Sequence, residues 1–198
     1  MEQELACDCC TISSRILWRN GLIQAFGNEI YKSVGQKLGD KSQASELIAQ
    51  LQEVQKKVKH PLVSAKHLGL NLQVFVVDLN FAKHEPTDFK QIFINPELIS
   101  SKAPLVSMLE DDASIPRLTV SIERPKQIEI SFLDEELTQQ TAVFSDLAAR
   151  WILHGINQVN GISIIHKLNK HRQRSVKAHL KRLSEQKIET NYKLEYDS

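Results

Sequence analysis

The stretch from Leu147 to Val159 is apolar around much of a helical circumference, and a helix of that kind is stable only when other elements cover it on most sides. Ser145 is a good N-cap for it, Asp146 lies favourably in its first turn, and Asn160-Gly161 supplies a C-terminal stop. Leu147, Trp151, His154 and Gln158 recur along it at helical spacing. His154, on a buried helix, needs hydrogen-bond partners inside the fold.

The rest of the chain supplies the cover. Residues 1–30 show no clean period, although Ile16-Leu17-Trp18 and Leu22-Ile23 require burial, and residues 31–44 read as an irregular lead-in. From Ser45 onward Leu47, Leu51, Val54 and Val58 form one helical stripe opposite Gln, Glu and Lys. Leu72–Val77 is β-branched and apolar, a buried strand; after a loop, Gln91–Asn95 is a second strand that Pro96 should stop. Leu118–Ile122 and Gln127–Leu133 suggest a pair of strands with Arg124-Pro125 between them. A short strand Ile162–Ile165 and a helix from about Leu168 to Leu183 follow the central helix. Strands first and a late central helix give an α+β layout, expected as one domain over residues 1–198.

Composition adds exclusions. At 41% hydrophobic and 25% charged residues, with no apolar run long enough to cross a bilayer, the chain reads as a soluble protein. Its acidic start, MEQELACDCC, does not resemble a secretory signal, so a cytoplasmic location is expected. Cys7, Cys9 and Cys10 are too few and too close for a disulfide framework and lack a nearby fourth metal ligand. A reduced, exposed segment is the simplest reading, with metal, lipid or redox chemistry as the alternatives.

Three blocks in order then resemble the peptide deformylase family over roughly residues 28–187. His154-Gly155-Ile156-Asn157-Gln158-Val159-Asn160-Gly161 resembles the family's helix motif His-Glu-x-x-Asp-His-Leu-x-Gly. Glu110-Asp111-Asp112-Ala113-Ser114-Ile115-Pro116 resembles Glu-Gly-Cys-Leu-Ser-Val-Pro, and Leu62–Gly69 resembles Gly-Leu-Ala-Ala-x-Gln-Val-Gly. The resemblance implies the deformylase fold, with antiparallel sheets around the motif-bearing helix. It also implies a divalent metal on one cysteine and two histidines, a glutamate general base, and a glutamine that holds the oxyanion.

Carried across position by position, most of that chemistry is replaced. His154 stands at the first histidine, Gln158 at the second, and Asp112 at the cysteine. Gly155 occupies the general-base position and His67 the oxyanion-glutamine position. Losing the base alone removes on the order of 10²–10⁴ in rate, and coupled catalytic groups fail together. No cofactor is therefore expected. The alternative is a rebuilt site in which Asp112, His154 and His67, assisted by Gln158, hold a divalent zinc, iron, nickel or manganese ion. Without a metal, His154 becomes a core histidine satisfied by Asp112 or Gln158.

Between Lys167 and Lys187 eight Lys/Arg residues face Glu185 alone, a local +7 in a chain of net +1. Lys170, Arg172, Arg174, Lys177, Lys181 and Arg182 surround a stripe of Val176, Leu180 and Leu183. A solvated helix packed by its stripe is the plain reading. The resemblance adds a second one, docking on the ribosome near the nascent-chain exit. Three functions follow. The first is a catalytically degenerate deformylase that keeps the fold and can bind an N-formylmethionyl peptide or the ribosome. The second is an active metallohydrolase that removes formyl from an N-terminal methionine with altered ligands. The third is an interaction or regulatory scaffold. The first is the reading adopted from sequence; oligomeric state is left open.

Overall fold

The computed structural model describes residues 22–83 and 85–196, so Cys7, Cys9, Cys10 and Ile16-Leu17-Trp18 lie outside the described residues. Two helices sandwich one sheet, and the alternation of side chains along the strands builds both layers. The first helix, α1 (Lys41–Val58), starts four residues before Ser45 because Asp40 caps it, its carboxylate accepting from the Gln43 N–H at 2.8 Å. Its stripe of Leu47, Leu51, Val54 and Val58 is buried as expected. Lys59, at φ 52°, turns the chain out of the helix.

The sheet takes the order β2-β3-β4-β5-β6, antiparallel throughout. Its strands are β2 (Leu62–Ser64), β3 (Val74–Asp78), β4 (Lys90–Asp111), β5 (Thr119–Leu133) and β6 (Gln139–Ser145). Val74, Val76, Ile92 and Ile94 point to the α1 side. Phe75, Val77, Phe93, Ile128, Ile130 and Phe132 point to the other, where α2 (Asp146–Val159) lies. The apolar helix is thus covered as its composition demands, with Ala149, Trp151, Ile152, Leu153, Ile156 and Val159 buried. Ser145 precedes it with no side-chain cap bond, its hydroxyl accepting from Gln127 instead at 3.3 Å. Gly161, at φ 79°, turns the chain out of it.

Three expectations are corrected. Pro96 does not stop its strand: β4 runs on to Asp111, and the proline falls in a register shift between Ile94 and Glu97. Asn95, at φ 50°, holds that bend by bonding both the N–H and the carbonyl of Leu38 at 2.8 Å, so the missing proline donor is accommodated. Arg124-Pro125 does not separate two strands: β5 is continuous, with Pro125 facing Leu105 at the end of another register shift. Ile162–Ile165 is not a strand. Ile164–Lys167 forms a 3₁₀ turn, started where the Ser163 N–H donates to His166 Nδ1 at 3.1 Å.

The third helix, α3 (Lys170–Ser184), buries Val176 and Leu183 with Ile115, Val120 and Ile122. The chain then returns: β7 (Lys193–Glu195) pairs in parallel with β1 (Leu22–Gln24), a pairing with no signal in either short segment. Among the described residues no helix is long and apolar enough to cross a membrane.

Candidate active site

Three elements deliver the predicted site residues to one buried point. α2 presents His154 and Gln158 one turn apart, the end of β4 leads into Asp112, and the 3₁₀ turn Ala65–Leu68 presents His67. Asp112 is the hub. Its Oδ1 accepts from the Ser114 N–H at 2.8 Å, the Ser114 hydroxyl at 2.6 Å and His67 Nε2 at 3.1 Å. Its Oδ2 accepts from His154 Nε2 and Gln158 Nε2, both at 2.9 Å. Burial alone would push this carboxyl up, but the hydrogen bonds from His154 and His67 hold it well below the usual carboxylate range.

Local backbone structure assigns the His67 proton. The Ser64 N–H donates to His67 Nδ1 at 3.1 Å, so that nitrogen carries the lone pair. Nε2 therefore carries the N–H that faces Asp112. His67 is a donor, as the glutamine it replaces would be. Burial pushes its imidazole below the ordinary value, with Asp112 opposing. The Gln158 amide nitrogen also comes within 3.0 Å of this Nε2, so two N–H groups meet there. Gln158 Oε1 is buried without a hydrogen-bond partner among the described residues.

Sequence reasoning missed the shell behind the hub. Glu110 takes both arms of Arg124, at 2.6 and 2.8 Å, and Arg150 Nη1 at 2.7 Å. Arg150 Nη1 also reaches the Ile122 carbonyl at 2.9 Å. Burial raises Glu110, yet Arg124 more than offsets it and keeps the carboxyl low. His154 Nδ1 lies 3.4 Å from Glu110 Oε2, so the ring sits between two carboxylates. A lone arginine among the apolar residues of the helix's first half, Leu147 to Leu153, was the signal for this cluster.

Gly155 carries a constraint that its neighbours do not. A Cβ there would lie 2.6 Å from Phe75 Cε2 and under 3 Å from two further atoms of the same ring. Phe75 is fully buried and stacked on Phe93, with centroids 5.1 Å apart. The general-base position therefore faces an aromatic ring from β3, and a side chain could start there only if that ring shifted.

Two cavities open above the network. A polar one of about 430 Å³ reaches Asp112 and is bounded by Lys59, His60, Arg117 and Tyr192. An apolar one of about 470 Å³ is lined by Pro61, Met108, Leu109, Leu147 and Trp151. Lys83 and Asp111 line both. Asp111 pairs with Lys83 and lies 3.4 Å from His60 Nε2. Burial depresses the His60 imidazole, but Asp111 outweighs it and raises the ring above its ordinary value. Lys170, Arg172, Arg174, Lys177, Lys181 and Arg182 are elsewhere, on the exposed side of α3.

The metal implied by the resemblance does not fit these residues. The thiolate position is here a carboxylate, itself able to ligate such an ion, but its oxygens already accept five N–H and O–H donors. His67 turns an N–H, not a lone pair, toward the same point. Gln158 likewise turns its NH₂ there. Among the described residues no three His, Cys, Asp or Glu side chains are grouped as a cation site.

Residues 22–174 match the family model for polypeptide deformylase. A peptide deformylase from Chlorobium phaeobacteroides is 28% identical over 171 residues, covering 86% of this chain and 92% of that one. One from Christiangramia forsetii is 28% identical over 185 residues, covering 88% and 94%. Among solved structures, peptide deformylase from Plasmodium falciparum superposes with a TM-score of 0.76 at 18% identity, covering 83% of this chain and 95% of that chain. An Arabidopsis thaliana peptide deformylase in complex with an inhibitor gives 0.75 at 20% identity, covering 83% and 91%. The α+β fold expected from sequence is the fold of these structures.

Proposed function

The chain belongs to the polypeptide deformylase family, and from that premise we propose that it keeps the family's peptide-binding cleft without the family's hydrolysis. The observation that carries this reading is Phe75 lying against Gly155. Hydrolysis of a formyl amide needs a base to take the proton of the attacking water. The carboxylates gathered nearby have other work. Glu110 is bound by Arg124 and Arg150, Asp112 by five donors, and Asp111 by Lys83 with His60 at its other oxygen. A carboxylate held low by such partners is a poor proton acceptor.

What remains is a binding surface. The apolar cavity beside Trp151 and Met108 has room for an unbranched apolar side chain, and the polar cavity adjoins it at Asp111. A peptide end anchored by its first side chain in the former would put its terminal group in the latter.

An active deformylase with an altered ligand set is the second reading, and the names of the relatives favour it over the first. The deciding experiment is formate release from formyl-Met-Ala-Ser by the purified chain, assayed with iron, nickel, cobalt and zinc added in turn, alongside elemental analysis. The proposal expects background rates throughout and no stoichiometric metal. Turnover above about 1 s⁻¹ with any ion, the low end of ordinary enzymes, would establish the second reading.

A further inference from the structure

We infer that the chain forms a two-fold dimer through the outer edge of β6, pairing it antiparallel with the same strand of a second copy so that the sheet continues across both chains. This interface lies apart from the cleft and holds whether the cleft binds a peptide or hydrolyses one.

A strand at the end of a sheet presents N–H and C=O groups without partners, and natural sheets guard such edges with prolines, charges and bulges. Besides β2, three residues long and wholly buried, the sheet has two free edges among the described residues. One is the outer side of β4 beyond Asn95, whose N–H makes the last backbone bond there, to the Gln73 carbonyl at 2.7 Å. That edge is guarded by Pro96, Pro104 and Lys102 and by three register shifts. The other is β6, which pairs with β5 alone. Gln139-Gln140-Thr141-Ala142-Val143-Phe144-Ser145 contains no charge, proline or glycine, and its register against β5 is unbroken from end to end. Val143, opposite Glu129 on the face away from α2, is 56% exposed. Of the two edges, only the unguarded one is built to be covered.

Charge selects a second copy in antiparallel order. The turn into β6 carries Asp134, Glu135 and Glu136, the last two exposed. The far end of β6 meets Lys126, which lies 3.7 Å from Asp146 with both side chains largely exposed. Laid antiparallel about Ala142, two copies set Thr141 opposite Val143 on each side of the axis, a pair of β-branched neighbours. The same arrangement carries the acidic turn of each copy toward Lys126 of the other, whereas parallel order would set acidic turn against acidic turn. A foreign strand is a poorer fit, because added strands gain specificity from side-chain pockets, and the recess beside Val143 holds about 20 Å³. α2 runs from the end of β6 back across β5 toward β3 and β2, which leaves the outer edge clear. A contact of this kind closes on itself, so assembly stops at two copies.

Analytical ultracentrifugation of the full chain, with hydrogen exchange on the same samples, tests this. The weight-average mass should rise reversibly from monomer toward dimer, with a dissociation constant between about 1 µM and 1 mM for an interface one strand wide. Exchange at Gln139–Ser145 should slow about tenfold or more from dilute to concentrated samples while β4 beyond Asn95 is unchanged. Thr141→Lys with Val143→Lys sets like charges opposite each other across the axis and should abolish the dimer, as should Thr141→Glu with Val143→Glu. Both positions are exposed, so each variant should keep its fold by circular dichroism, and mixing the two should restore association. A chain that stays monomeric at about 1 mM, protection that appears elsewhere than β6, a dimer that survives the double lysine change, or a lysine–glutamate mixture that stays monomeric would overturn the inference.

Discussion

At position 155 two rules oppose each other. Replacing a mid-helix glycine by alanine ordinarily stabilises by about 1 kcal/mol, but here the added Cβ enters the Phe75 ring. Gly155→Ala should therefore destabilise, by about 1–3 kcal/mol for overpacking. Phe75→Leu should recover part of that loss in the double variant. Urea denaturation of the four chains measures it, and a more stable Gly155→Ala would show that the ring moves freely. Asp112 makes a second case. Because its folded carboxyl is depressed, its contribution is complete above the unfolded value of about 4 and is lost as pH falls below that. Asp112→Asn, which leaves several donors unpaired, should cost about 3–5 kcal/mol at pH 7. The gap from the parent chain should narrow as pH drops below about 4. A gap that stays constant in denaturation curves down to pH 3 would mean that the carboxylate charge is not what binds the network. His67 has the same sign in another window. A buried imidazole depressed below 6.5 costs stability as pH falls through that value, since the unfolded chain takes up the proton first.

At the scale of elements, Glu110 is the rivet between β4, β5 and α2, through Arg124 and Arg150. Glu110→Gln leaves two buried guanidinium groups without their counter-charge and should cost about 3–5 kcal/mol. The position of α2 should loosen with it, so hydrogen exchange at Ile152–Ile156 would accelerate while α1 stays protected. Uniform acceleration would argue against a local role. This cluster was only half legible in the sequence. Glu110 was visible in a motif block and Arg124 between two expected strands, but their pairing needs the antiparallel register that sets Met108 opposite Ile122 and brings both strands beneath α2. The long β4 was illegible for a related reason. Pro96 reads as a stop, and only the side chain of Asn95 bonding Leu38 from the chain before α1 shows how the strand passes it.

For the whole molecule, the uneven charge is the property with a measurable consequence. α3 is docked by Val176 and Leu183 while its cations stay exposed, so its basic face is free to meet phosphates without unfolding anything. If ribosomes are the partner, co-sedimentation should fall steeply between about 50 and 200 mM salt, as release of several counterions requires. Replacing Arg174, Lys177 and Lys181 by glutamate should abolish it while leaving thermal stability within about 0.5 kcal/mol, as for other surface changes. Binding that ignores salt or survives the triple change would leave α3 as a solvated helix.

The sequence alone determined the class of fold, the buried helix and the residues at 67, 112, 154, 155 and 158, while the part of Ser114 in the hub was not read from it. Periodicity and motif order are local properties, and which side chain stands at 112, 154, 155 or 158 is read letter by letter. What those groups do to one another was decided only in three dimensions. That His67 is a donor depends on the backbone N–H of Ser64, and that position 155 is crowded depends on a ring from another strand. Proton placement and excluded volume are set by what approaches across the fold, and no spacing along the chain encodes that approach.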